Sequence, residues 1–200
     1  MTKAFYDELI FSNALQQGHF ILSSGLHSDK YIQCAKLFID PNRAEKIVRW
    51  LVEKILENIS NHQIDLVVAP AMGAVILGYE VAKQLNCRSI FCERTHGQFM
   101  FRRGFTISQG EKVLLIEDVI TTAKSSLETI TLLKQHKAEI IAEACLIDRS
   151  KGMAAERLPF PLVSLLKMDV LTYEEHQIPD FLRNIPVTTP GSRFIQGHKK

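Results

Sequence analysis

Cysteine is scarce and scattered in this 200-residue chain. Cys34, Cys87, Cys92 and Cys145 include no pair at C-x-x-C spacing. That distribution argues against a zinc site and a disulfide framework, and fits reduced, mostly buried thiols in a cytoplasm. Long apolar runs are absent too: none approaches the roughly 18 residues a spanning helix needs. The first stretch, "MTKAFYDELIFSNALQQ", lacks the apolar centre and small-residue cleavage site of a secretory leader. Nor does one charge dominate. Lys and Arg total 24 against 22 Asp and Glu, a formal net charge of +2, which speaks against nucleic acid and membrane partners. Several motifs are also missing. There is no G-x-G-x-x-G, no G-x-S-x-G and no internal repeat. "GAVILGYE" has Gly73 and Gly78 at P-loop spacing, but Tyr79 and Glu80 stand where Lys and Ser/Thr are required.

What is present is an ordinary globular composition, 46% apolar and 23% charged, sized for one domain over residues 1–200. Helical spacing predicts an amphipathic helix over 3–17, ending at Gly18. "HFILSSGLHSDKYIQC" reads as two short strands around a turn at Ser23, Ser24 and Gly25. Asp40-Pro41 opens a second helix, Asp40 as N-cap and Pro41 at its first position, running to about Ile59. Strands and helices then alternate. "DLVVAP" precedes "AVILGYEVAKQL"; "RSIFCE" follows; "KVLLIEDV" precedes "SSLETITLLKQH"; "EIIAEACLID" and "PLVSLL" come last. This pattern predicts an α/β fold with a mostly parallel sheet covered by helices on both faces. Such sheets bind ligands at the carboxyl ends of their strands. Attention therefore falls on "PAMGA", "ERTHG", "EDVITTAKSS" and "DRSKG". The tail "IPVTTPGSRFIQGHKK" reads as an extended segment.

The third of these is the most informative. Glu117 and Asp118 emerge where the buried strand "VLLI" ends. Adjacent carboxylates are costly there unless solvent, a metal or hydroxyl donors compensate them. A sugar diol or a Mg²⁺ ion would serve. A helix starting near Ser125 exposes unpaired N–H groups and a positive dipole end, which suit a phosphate. Thr121, Thr122, Ser125 and Ser126 add hydroxyls. Helix capping by Ser125-x-x-Glu128 is the plainer explanation of one serine. It leaves two threonines, another serine and two acids unexplained. Acids for a diol followed by a phosphate cradle describe a ribose 5-phosphate site.

At these residues the chain resembles a known family. "VLLIEDVITTAKSS" resembles the PRPP-binding signature of the type I phosphoribosyltransferases, with Ala123-Lys124 where many members carry glycine. The resemblance implies that Glu117 and Asp118 hold the ribose hydroxyls and that Thr121, Thr122, Ala123, Lys124, Ser125 and Ser126 hold the 5-phosphate. Magnesium would arrive with PRPP, near Asp118. "FILSSGLHSDKYIQ" resembles the F-x-L-x-S-G-x-x-S-x-x-Y segment of the orotate phosphoribosyltransferase family, whose short bacterial branch is also suggested by "ERTHGQFMFRRGF" and "PGSR". That implies a base-binding hood from residues 1–40, with Arg149 of "LIDRS", Thr121, Ser24 and Gly25 at the orotate. An arginine fork is the natural partner of the orotate carboxylate.

"ERTHGQFMFRRGF" is expected to form a lid whose Arg94, Arg102 and Arg103 meet the departing pyrophosphate, helped by the backbone of Ala71, Met72 and Gly73. Asp118, Glu117 and Arg94 are the candidate catalytic residues. A basic hairpin facing solvent is the simpler reading of the lid. Where many relatives have a lysine before the S-G pair, this chain has Ser23, and its lid carries arginines in place of lysines. The resemblance also implies a homodimer with a shared lid. The expected activity joins PRPP and orotate into orotidine 5′-phosphate and pyrophosphate. The alternatives are a transferase for another base and a non-catalytic PRPP-binding regulator.

Overall fold

The computed structural model describes residues 1–22, 24–59 and 63–190. Helix α1 spans Thr2–Phe11, shorter than its periodicity suggests. Ser12 closes it and Asn13 turns left-handed at φ 54°, so residues 15–17 are drawn into a strand instead. Strands β1 (Leu15–Ile21) and β2 (His27–Ile32) pair antiparallel. Ser23, in their connection, lies outside the described residues. A short 3₁₀ segment, Cys34–Ile39, leads into α2 (Pro41–Asn58). Here the local reading holds: the Asp40 carboxylate accepts from the N–H groups of Asn42 (2.9 Å) and Arg43 (3.3 Å). Helix α2 buries Ala44, Ile47, Val48, Leu51, Val52 and Ile55 at helical spacing. Each fully buried Leu or Ile contributes roughly 1.5–3 kcal/mol.

The main sheet follows. Strand β3 (Leu66–Pro70), helix α3 (Val75–Leu85), strand β4 (Arg88–Thr95) and strand β5 (Gln98–Phe101) come first. Strand β6 (Lys112–Ile120), helix α4 (Lys124–Gln135), strand β7 (Glu139–Asp148), helix α5 (Met153–Arg157) and strand β8 (Leu162–Lys167) complete it. The strand order is β5-β4-β3-β6-β7-β8. Every pairing is parallel except β4 with β5. Helix α6 (Asp180–Arg183) precedes β9 (Val187–Thr188), which joins β1 and β2 in a separate three-stranded sheet.

Strand alternation assigns the two faces of the main sheet. Val67, Leu114, Ile116, Ala142 and Ala144 belong to the core built with α1, α2 and α3. Leu66, Val68 and Val113 pack with Leu133, and Leu115 with Ile130, both from α4. The chain leaves β3 towards β4 on one side, while β6 lies on the other. The sheet therefore has its switch point between β3 and β6, and a crevice opens at the carboxyl ends of those strands.

Candidate active site

The strand β6 ends in Glu117 and Asp118, and alternation sends them apart. Glu117 continues the α4 face after Leu115. Asp118 continues the opposite face, and there it meets three groups brought by distant chain. A Cβ placed on Gly73 would stand 2.5 Å from Asp118 Oδ2. Only glycine lets the "PAMGA" turn approach that carboxylate so closely. The Tyr31 hydroxyl and the Cys34 thiol are both raised, first by burial and then by the Asp118 charge. The hood strand β2 and the 3₁₀ segment thus lie beside Asp118. The Val119 N–H donates to Asp118 Oδ1 at 2.8 Å and fixes its rotamer.

Both acids hold their protons above the usual carboxylate range. Burial dominates at Glu117, followed by the charges of Asp118 and Glu143. Burial also raises Asp118, while the Val119 N–H opposes it. The two carboxyls act on each other and titrate as a pair. A pair that retains a proton can accept a hydroxyl without setting two charges side by side.

Beyond them the chain turns into α4 at Ala123, which is 4% exposed and left-handed at φ 56°. The helix begins at Lys124 and has no side-chain cap. The Ser125-x-x-Glu128 capping box therefore does not form: Glu128 instead pairs with Arg94. The opening N–H groups of the helix are left for a ligand. A cleft of about 700 Å³ lies over them, walled by Ser24, Arg94, Glu117, Val119, Ile120 and the run Thr121 to Ser126. Hydroxyls, free amides and a dipole end converge in one cavity.

Arg94 reaches this cleft from the β4–β5 hairpin. Its guanidinium donates to the Gly97 carbonyl at 2.6 Å and lies 4.2 Å from the Phe99 ring centre. Arg103 does not reach the cleft. It pairs with Glu93 at 2.7 Å on the hairpin itself, which lowers the Glu93 carboxyl and raises the guanidinium. Arg102 is exposed and makes no ion pair among the described residues. The segment expected to be a lid is thus a basic hairpin, with one arginine at the cleft and two outside it. Ala71 and Met72 sit at the end of β3, Met72 exposed, and neither walls the cleft.

Arg149 follows β7, and its N–H donates to the Ile120 carbonyl at 2.7 Å, beside the cleft wall. Among the described residues its Nε is buried without a partner, and burial pushes the guanidinium's pKa down. Such an orphaned donor fits an anion the chain does not itself supply. Ser24 walls the cleft, whereas Gly25 takes φ 85° in the turn with no neighbour near it. Residues 191–193 of "PGSR" lie outside the described residues. The sequence reading gave no role to Tyr31 or Glu143. Tyr31 closes the hood motif, and Glu143 is a lone acid inside an apolar strand, so both carried a signal.

Comparison with known proteins decides the family. A model described as the phosphoribosyl transferase domain matches residues 37–160. An orotate phosphoribosyltransferase of Caldicellulosiruptor saccharolyticus is 50% identical over 185 residues, covering 92% of this chain and 94% of the relative. The Caulobacter vibrioides protein of that name is 42% identical over 191 residues, 96% of each chain. The chain belongs to the orotate phosphoribosyltransferase family. The fold agrees. A solved orotate phosphoribosyltransferase from Aeropyrum pernix superposes with a TM-score of 0.66 at 23% identity, over 82% of this chain and 93% of that one. An adenine phosphoribosyltransferase gives 0.67 at 19% identity, over 81% and 99%. Fold likeness therefore does not separate the bases in this family, and the base must be argued from the site.

Proposed function

We propose that this protein transfers the phosphoribosyl group of PRPP to orotate, giving orotidine 5′-phosphate and pyrophosphate. One observation carries the reading: the acid Glu117, hydroxyls and uncapped helix amides meet in a cleft, beside an arginine whose Nε lacks a partner among the described residues. The 5-phosphate takes the N–H groups at the start of α4 and the hydroxyls of Thr121, Thr122, Ser125 and Ser126. Glu117 and Asp118 take the ribose hydroxyls. Arg149 takes the orotate carboxylate, with Thr121, Ser24 and Gly25 at the ring edge.

The substrate form of PRPP is its magnesium complex. Among the described residues no group of three His, Cys, Asp or Glu side chains is placed to hold a metal. The ion is proposed to be carried mainly by phosphate and ribose oxygens, near Asp118. As the bond at ribose C1 breaks, positive charge develops on the sugar. Asp118 lies close to that charge and stabilises it, while Arg94 meets the leaving pyrophosphate. Ala71, Met72 and Gly73 offer backbone groups to the same phosphates. Orotate needs no dedicated base, because its attacking nitrogen is already acidic. Positioning supplies much of the remaining rate.

Arg103 is held by Glu93 and Arg102 is exposed, and neither walls the cleft of its own chain, which favours a homodimer in which each hairpin serves the neighbouring site. The single domain, the hood from residues 1–40 and a cytoplasmic location complete the proposal. No helix among the described residues is long and apolar enough to cross a membrane. A panel of bases tests the reading. With magnesium and PRPP, orotate should be consumed and adenine, hypoxanthine and uracil left untouched. Turnover of a purine in place of orotate would overturn it, and PRPP binding without turnover of any base would favour a regulator.

A further inference from the structure

The "DRSKG" turn holds more than Arg149. Asp148 and Ser150 flank the arginine, and both are buried, at 3% and 1% exposed. Polar side chains in such a place need partners, and each has one in the backbone of its own turn. Asp148 Oδ1 accepts from the Ser150 N–H at 2.8 Å, and so spans the Arg149 peptide. Ser150 Oγ accepts from the Ala154 N–H at 3.1 Å, and the Ser150 carbonyl from the Met153 N–H at 3.1 Å. The main chain is fastened as well. The Asp148 carbonyl accepts from the Met168 N–H at 2.9 Å, while the Arg149 N–H donates to Ile120. Ala154 in turn shares an apolar cluster with Ile120 and Ala123, two residues of the cleft wall. The backbone around Arg149 is thus tied at both ends to the cleft, whereas the guanidinium Nε has no partner among the described residues.

We propose that Asp148 and Ser150 are positioning residues for the base: they lock the backbone on both sides of Arg149, so that its guanidinium is presented to the orotate carboxylate. The inference rests on the orotate reading of Arg149 given above. A long arginine side chain already gives up rotamer freedom when it grips an anion. A main chain free to move would add to that loss. Fixing the chain before the base arrives removes the second cost, and sets the fork where a bidentate contact needs it. An aspartate suits the task because its carboxylate closes a turn onto the N–H two residues on. The plainer role of such a turn is to end β7 and start α5. That role supports the fold as a whole and favours neither substrate.

The test is a double-mutant cycle between Asp148→Ala and Arg149→Ala, read in the KM for orotate, with the Kd of Mg·PRPP measured on the same proteins without any base. Asp148→Ala should raise the KM for orotate by roughly 5- to 10-fold and leave the Kd of Mg·PRPP within about 2-fold. Added to Arg149→Ala, it should raise that KM by less than about 2-fold further, because the residue it acts through is gone. Asp148→Asn keeps an acceptor oxygen for the Ser150 N–H and should recover most of the lost affinity. Ser150→Ala deletes only the acceptor of the Ala154 N–H. It should repeat the pattern more weakly, and it carries the cycle if Asp148→Ala does not fold. No rise for orotate, an equal loss for both substrates, or a rise that persists in full on Arg149→Ala would overturn the inference. Arg149→Ala with an unchanged KM for orotate would strike the base assignment itself, and the inference with it. Loss of orotate in Arg149→Ala but not in Asp148→Ala would strike the inference alone.

Discussion

Asp118, next to the cleft-lining Glu117, is where distant parts of the chain meet. It lies against Gly73 from one turn and influences Tyr31 and Cys34 from the hood, while Glu117 is turned to the other face. Asp118→Asn keeps the shape and removes the charge proposed to receive a ribose hydroxyl and face the developing cation. We expect kcat/KM for PRPP to fall by ~10²-fold or more with unchanged thermal stability, as steady-state kinetics and a melting curve would show. Arg149→Ala removes the proposed anion partner alone, and should raise the KM for orotate by at least ~10-fold while leaving that for PRPP nearly fixed. Glu143 makes a stability prediction with a definite sign. Its carboxyl stands at about 7 in the folded chain against an ordinary 4.5. Between those values the unfolded chain has lost a proton that the folded chain retains, so stability falls as pH rises through that window. The full effect is on the order of 3 kcal/mol. Glu143→Gln should therefore melt higher than wild type at about pH 8, with the gap closing near pH 5.

At the scale of elements, the start of α4 is the part most clearly shaped for a ligand. Its junction is held by Ala123 in a left-handed conformation, which costs an L-residue roughly 1–2 kcal/mol. Ala123→Gly should relieve that strain and raise the melting temperature by a few degrees, measured by calorimetry. The elements also show what a sequence conveys. Asp40-Pro41 was legible because capping is decided within three residues. Helix α1 was overextended because Leu15 to Gln17 keep helical spacing, yet pair with Ile32, Tyr31 and Lys30 of β2. Likewise Ser125-x-x-Glu128 has the local form of a capping box, but Arg94, 34 residues away in sequence, takes the glutamate. The cleft hydroxyls of Thr121, Thr122, Ser125 and Ser126 cluster within six residues and were readable. The Gly73–Asp118 approach joins two separate loops and was not.

For the whole molecule, the arrangement of strands explains why these loops meet. Between β3 and β6 the sheet reverses its order, and both the "PAMGA" turn and the acids lie at that break. A fold shared with adenine phosphoribosyltransferases supplies the crevice without choosing the base; that choice we assign, as a proposal, to the arginine after β7. The most direct trial of the account is a crystal structure with Mg·PRPP bound. It should show the 5-phosphate on the amides of residues 122–126 and the ribose hydroxyls on Glu117 and Asp118. A PRPP molecule seated elsewhere, or a ribose that leaves both carboxylates untouched, would contradict it.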